Sequence, residues 1–206
     1  MPPIYHITHL RNLPSIVECG GLWCDGEAAS RNLCAVDIAY DHLKARRAHC
    51  PVPVRPGGVL ADYVPFYFAP RSPMLFVIHK RAVAGYQGGQ EEVVYLVSAT
   101  ERIAAEGLPF VFTDGHAVIR LSRFFDDLTD LDQIDWPLMK DPFWGDTDED
   151  RDRKRRRQAE LLVHRFVPMS CFLGIGVMTQ AVAGRVAGIL GPSSELVVKV
   201  RQSWYY

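Results

Sequence analysis

Short runs of β-branched and aromatic residues, scattered among helical stretches in no regular alternation, set the strongest limit on how this chain can fold. Such residues suit a pleated, half-buried surface. EVVYLVS (92–98), Phe110–Phe112 and Leu196–Arg201 therefore read as strands, and the apolar run Met74–Ile78 reads as a buried one. A short strand at Tyr5–Thr8 ends at His9, and a helix starts at Asn12, with Pro14 in its first turn and Gly20-Gly21 stopping it near Cys19. Val36–His49 and Thr179–Leu190 read as further helices. Glu160–Phe166 reads either as a strand or as a helix end, because Ala159, Leu162, Val163 and Phe166 also keep helical spacing. This mixture predicts an α+β fold. A doubly wound nucleotide fold is disfavoured, since neither G-x-G-x-x-G nor G-x-x-x-x-G-K-[ST] occurs.

A length of 206 residues predicts a single domain over 1–206, with an acidic-aromatic surface excursion at about 126–157. The hydrophobic share of 48% argues against disorder. No uncharged apolar run reaches the ~18 residues of a membrane span. The opening MPPIYHITHLRN lacks a basic region followed by an apolar stretch, so no secretory signal is expected and the expected compartment is the cytoplasm. Lys and Arg total 23 against 24 Asp and Glu, a formal net charge of −1. That excludes a globally basic nucleic-acid coat and leaves room for a local basic site. Cys19, Cys24, Cys34, Cys50 and Cys171 form no C-x-x-C pair, so no disulfide framework, zinc site or other metal site is expected.

Four constellations could carry chemistry. Residues 151–157 hold six basic side chains in seven: Arg151, Arg153, Lys154, Arg155, Arg156 and Arg157. They read either as a solvated charged face neutralised by the preceding acids or as a patch for phosphates of a nucleic acid or dinucleotide. Glu160 then enters an apolar segment directly after Gln158 and Ala159. It is either a salt-bridged structural carboxylate or the group that stabilises positive charge on a sugar ring during glycosyl transfer. His6 and His9 would face opposite sides of a strand, so a shared metal is not expected; one of them, at the strand end, could bond a ligand. The run Asp62–Met74 (DYVPFYFAPRSPM) is either a core strand with a turn or an aromatic wall for stacking a nicotinamide, an adenine or a base.

Taken together, these stretches resemble the DarT-type DNA ADP-ribosyltransferase toxins. The resemblance runs over nearly the whole chain: His9, Asn12 and Pro14 at its entry, Arg47 ahead of PVPV and GG, DYVPFYFAPRSPM, PFVFTDGHA, Leu131–Pro137, Gln158–Glu160 and the closing SWYY. It implies an ADP-ribosyltransferase-like fold with a split or mixed central sheet. It further implies NAD as co-substrate without a metal, cleavage at the nicotinamide bond, and attachment of ADP-ribose to thymine (at N3) in single-stranded DNA. A macrodomain antitoxin is the implied partner, and no membrane is involved. By the same resemblance Glu160 and Arg47 are catalytic, with Glu160 orienting the nicotinamide ribose and Arg47 polarising the base. His9, Asn12, Tyr67, Phe68 and Met74 hold NAD. His116, Arg151, Arg153, Lys154 and Arg155 face DNA, although the basic run could serve the NAD pyrophosphate instead. Two rival classes share these residues: an NAD-dependent transferase acting on RNA or protein, and a non-catalytic nucleic-acid-binding regulator.

Overall fold

Residues 2–206 are described by a computed structural model. The strands are β1 (Pro3–His9), β2 (Gly21–Trp23), β3 (Tyr63–Tyr67), β4 (Val93–Ala99), β5 (Phe110–Thr113), β6 (Phe124–Phe125), β7 (Glu160–His164), β8 (Phe166–Pro168), β9 (Gly174–Val177) and β10 (Val197–Val200). The helices are α1 (Leu13–Glu18), α2 (Asp25–Ser30), α3 (Asp41–Arg47), α4 (Pro73–His79), α5 (Thr100–Ala105), α6 (Trp136–Lys140), α7 (Arg153–Arg156) and α8 (Gln180–Leu190). Eight strands form one mixed sheet in the order β10-β9-β4-β1-β3-β7-β5-β6, and β2 pairs with β8 beside it. Only the β9–β10 pair within the large sheet is parallel.

Alternating side chains place the core on both faces of this sheet. Ile4, Phe66 and Leu96 pack with Leu13 of α1 and Val186 of α8, whereas Tyr5 and Tyr95 pack with Leu75 and Ile78 of α4 and with Tyr205. Strand β1 pairs with β4 along its whole length but meets β3 at the single register position Tyr5 opposite Tyr67. Pro65 explains the parting: it has no N–H to give to a ladder, and its carbonyl instead accepts from His6 Nδ1 at 2.8 Å. The sheet is thus split between β1 and β3, and the cleft described below opens at that split.

Three expected elements differ. Met74–Ile78 belongs to helix α4, not a strand: the Ser72 hydroxyl accepts Leu75 N–H at 3.1 Å and Pro73 fills the first turn. Within Val36–His49 the α-helix is confined to α3, because the segment before it is held in irregular form by Asn12 and Ser15. Glu160–Phe166 is neither one strand nor a helix end; Arg165, at φ 64°, breaks it into β7 and β8. The segment 126–157 is tied to the body, with Ile134, Leu138 and Met139 buried and Trp136 edge-on to Phe68. Among the described residues no helix is long and apolar enough to cross a membrane.

Candidate active site

A cavity of about 420 Å³ lies at the split, walled by β1, β3 and the start of β7 on the sheet side and by residues 34–47 and α4 opposite. A second cavity of about 290 Å³ adjoins it towards Trp23, and His6, Thr8, Asn12 and Lys44 are among the residues that line both.

Glu160 begins β7 directly opposite Tyr67 of β3, only 3% exposed. Two donors fix its carboxylate: Arg47 Nη1 reaches Oε2 at 3.1 Å, and the Ala117 N–H reaches Oε1 at 3.0 Å. Arg47 ends α3 and is also buried, at 9% exposure. Burial works against its charge, but Glu160 and Asp25 outweigh that and raise its pKa above the ordinary guanidinium value. Arg47 therefore stays a cation and cannot serve as a proton acceptor. Its Nε and Nη2 are buried in the cleft wall without any partner. Unpaired buried donors of this kind cost about 1–3 kcal/mol or more when charged. A ligand offering carbonyl or anionic oxygens would satisfy them.

The neighbouring groups are equally specific. Burial and the Glu160 charge push the Tyr67 phenol well above its ordinary pKa, so it remains a neutral donor. His116, beside the Ala117 turn, has Nδ1 3.8 Å from Glu160 Oε1; burial lowers its pKa against the pull of Glu160. His6 must carry its proton on Nδ1, because its partner there, the Pro65 carbonyl, can only accept. Its Nε2 is left as an acceptor, and burial lowers its pKa.

The cleft gathers Glu160, Arg47, Asn12, Tyr67, Met74, His116 and Lys154 from the expected residues. His9 is not among them. It points away, its Nε2 3.4 Å from Glu92 and its ring against Tyr86, while Nδ1 accepts Arg11 N–H. His6 lines the cleft in its place, together with Thr8 two residues on, which strand alternation puts on the same face. The alternation of His6 with Thr8 was visible in the sequence, but it does not say which face of the strand meets the cleft. Asn12 lines the cavity, yet all its polar capacity serves the chain: Oδ1 accepts Ala35 and Val36 N–H, and Nδ2 donates to Val36 O and Thr8 Oγ1. Phe68 is a core residue packed on Phe112 and Trp136.

The basic run does not form the expected phosphate-binding face. Arg153 pairs with Asp141 at 2.7 Å, Arg155 with Asp114 at 2.9 Å and Asp152 at 2.7 Å, and Arg156 with Asp135 and Asp150. Arg157 is buried and donates to the carbonyls of Arg71, Leu138 and Asp141. Arg151 lies at a shallow acidic depression away from the cleft. Lys154 alone of the run reaches the cleft, exposed and without a carboxylate partner. Arg46, which sequence reasoning missed, is a further exposed cation without a carboxylate partner; it lies outside the cleft lining, its Nη2 3.4 Å from Val118 O and its charge felt by His116. Among the described residues no three His, Cys, Asp or Glu side chains converge as a metal site.

Residues 5–206 match the family described as "ssDNA thymidine ADP-ribosyltransferase, DarT". A "DNA ADP-ribosyl transferase" of Thermus sp. (strain 2.9) is 44% identical over 207 residues, covering 99% of this chain and 96% of the relative. Among solved structures, Thermus sp. 2.9 DarT in complex with ADP-ribosylated ssDNA superposes with a TM-score of 0.93 at 42% identity, covering 100% of this chain and 96% of that one. The same Thermus protein in complex with NAD+ gives a TM-score of 0.85 at 39% identity, over 100% and 98% of the two chains.

Proposed function

The chain belongs to the DarT family of single-stranded-DNA thymidine ADP-ribosyltransferases, and on that premise we propose that its split-sheet cleft binds NAD, with Glu160 at the nicotinamide ribose and Arg47 at the acceptor base. The enzyme uses NAD and modifies thymidine in single-stranded DNA. RNA or protein as acceptor, and a purely binding role, are thereby set aside.

The observation that carries the residue assignment is the Glu160–Arg47 contact at 3.1 Å, with the rest of the Arg47 guanidinium left unpaired in the cavity wall. In the reaction the bond between the nicotinamide nitrogen and the ribose C1 breaks, and its electron pair neutralises the pyridinium. The oxocarbenium character that develops on the ribose is stabilised by the Glu160 carboxylate. Thymine N3 then bonds to C1 and gives up its proton to water. Arg47, permanently charged, polarises a thymine carbonyl and stabilises the negative charge that builds as that proton leaves. Lys154 of the cleft lining and Arg46 near His116, both exposed and without carboxylate partners, are suited to phosphates of the entering strand. Asn12 acts on NAD indirectly, by fastening residues 35–36 over the cavity. The reading also includes a cytoplasmic setting and a macrodomain antitoxin that removes the mark; co-expression with such a macrodomain should relieve growth arrest.

Incubation with labelled NAD and a thymine-bearing oligonucleotide tests the acceptor chemistry. Single strand should label well and the annealed duplex poorly. N3 lies on the Watson–Crick edge, and freeing the base costs a few kcal/mol (roughly 2–4). Equal labelling of strand and duplex would exclude N3, and labelling after removal of every thymine would move the target to another base.

A further inference from the structure

The turn that holds Glu160 is itself held by one side chain from the basic run. After Thr113 at the end of β5, the chain turns through residues 114–122, placing His116 in the cleft lining and presenting the Ala117 N–H to Glu160 Oε1. Arg155 grips this turn at several points. Its carbonyl accepts His116 N–H at 3.0 Å. Its Nη1 donates to Asp114 Oδ1 at 2.9 Å and to Ser122 Oγ at 3.1 Å, and the Ser122 hydroxyl donates onward to His116 O at 2.8 Å. From the other edge, Nε and Nη2 donate to the two oxygens of Asp152, both at 2.7 Å, so the fork is itself braced. Gly115 lies directly against the guanidinium, with no room for a Cβ there. Arg123 also bonds Asp114, but it is 62% exposed and its partners are Asp114 and Gln133.

We propose that Arg155 is a positioning residue for ADP-ribose transfer: by clamping the 114–122 turn it holds the Ala117 N–H, and through it the Glu160 carboxylate, at the reacting sugar. The proposal rests on the role given to Glu160 above. It reverses the expectation that Arg155 contacts DNA, since its guanidinium is already committed to two carboxylates and a hydroxyl. A planar fork is needed for this geometry, because an ammonium cannot address Asp114 and Asp152 from opposite edges at once. Misplacing a catalytic group by about 1 Å can cost 10²-fold in rate, so the clamp acts on turnover and not on affinity.

The test is steady-state kinetics with NAD and a thymine oligonucleotide for Arg155→Ala, Arg155→Lys and Gly115→Ala. Arg153→Ala, whose salt bridge to Asp141 is remote from the turn, is the control, and Glu160→Gln is run in parallel. Arg155→Ala should lower kcat by about 10²-fold with both KM values unmoved, and Arg155→Lys should recover only part. Gly115→Ala, by pushing the guanidinium aside, should lower kcat independently; Arg153→Ala should leave it unchanged. If Arg155→Ala fails to fold, wild-type kcat in folded Arg155→Lys and Gly115→Ala overturns the proposal. A raised oligonucleotide KM at unchanged kcat also overturns it and makes Arg155 a phosphate contact. An inactive Glu160→Gln beside fully active Arg155 variants removes the clamp alone, whereas an active Glu160→Gln removes the role of Glu160 and the clamp with it.

Discussion

A carboxylate buried to 3% exposure needs its charge answered on every side, and Glu160 has a guanidinium on one oxygen and a backbone N–H on the other. Glu160→Gln keeps the shape but can satisfy only one of the two donors. Turnover should fall by ~10²–10³-fold, as for loss of a preorganised charge at a transition state. Stability should fall by about 1–3 kcal/mol, measurable by thermal unfolding. Arg47→Ala should reduce base modification more than NAD binding, and Arg47→Lys should not restore it, because a point ammonium cannot hold Glu160 and also offer a second donor edge. Calorimetry that shows NAD affinity lost in step with activity would assign Arg47 to NAD alone. Charge pattern made Glu160 visible in the sequence, as a lone acid between a basic run and an apolar strand. Alternation along β1 was equally visible but did not choose between His6 and His9. The choice depends on which face the split opens, and that is set by Pro65, distant in sequence.

At the scale of elements, long periodic segments were legible and short apolar runs were not. Helix α8 and strand β4 lie where periodicity and β-branching put them. Met74–Ile78 has too few residues to display a period, and the decisive signal was the Ser72-Pro73 cap in front of it. The stretch before α3 shows a different limit. Residues 33–36 are held by side chains of another element, Ser15 on Leu33 O and Asn12 on Ala35 and Val36. No local propensity announces that. Because each such bond contributes about 1 kcal/mol, Asn12→Ala should release this wall of the cavity and weaken NAD binding roughly tenfold or more, with kcat at saturating NAD little changed. An unaltered KM for NAD would mean that residues 33–36 take no part in holding it.

The whole molecule is nearly neutral, and its buried groups and surface charges make two separate predictions. Burial lowers the pKa of His6, His9, His116 and His164 below the ordinary histidine value of 6.5. The unfolded chain then binds more protons than the folded one as pH drops, so stability rises with pH across that window. Thermal unfolding should therefore shift downward as pH falls below about 6.5, before carboxylates titrate; a flat melting temperature down to the carboxylate range would contradict it. The second prediction concerns the balance of charge. Composition shows 23 cations against 24 anions, and the run 151–157 suggests by count a strongly phosphate-binding strip. The fold cancels most of that strip, because Arg153, Arg155 and Arg156 are paired with aspartates drawn from 114–152. Lys154 in the cleft lining and Arg46 near His116 are left without acidic partners. For single strands the affinity falls with a log–log salt slope of about −0.7 per phosphate neutralised. Two contacts give a slope of roughly −1.4, whereas engagement of all six basic residues of the run would give roughly −4. Fluorescence anisotropy of a thymine-bearing oligonucleotide across a salt series distinguishes the two directly. Replacing Lys154 with Ala should flatten the slope by about 0.7, while Arg153→Ala should leave it alone. A slope near −4 would mean that DNA pulls the arginines out of their aspartate pairs, and the strand would then follow the whole basic run and not Lys154 and Arg46 alone.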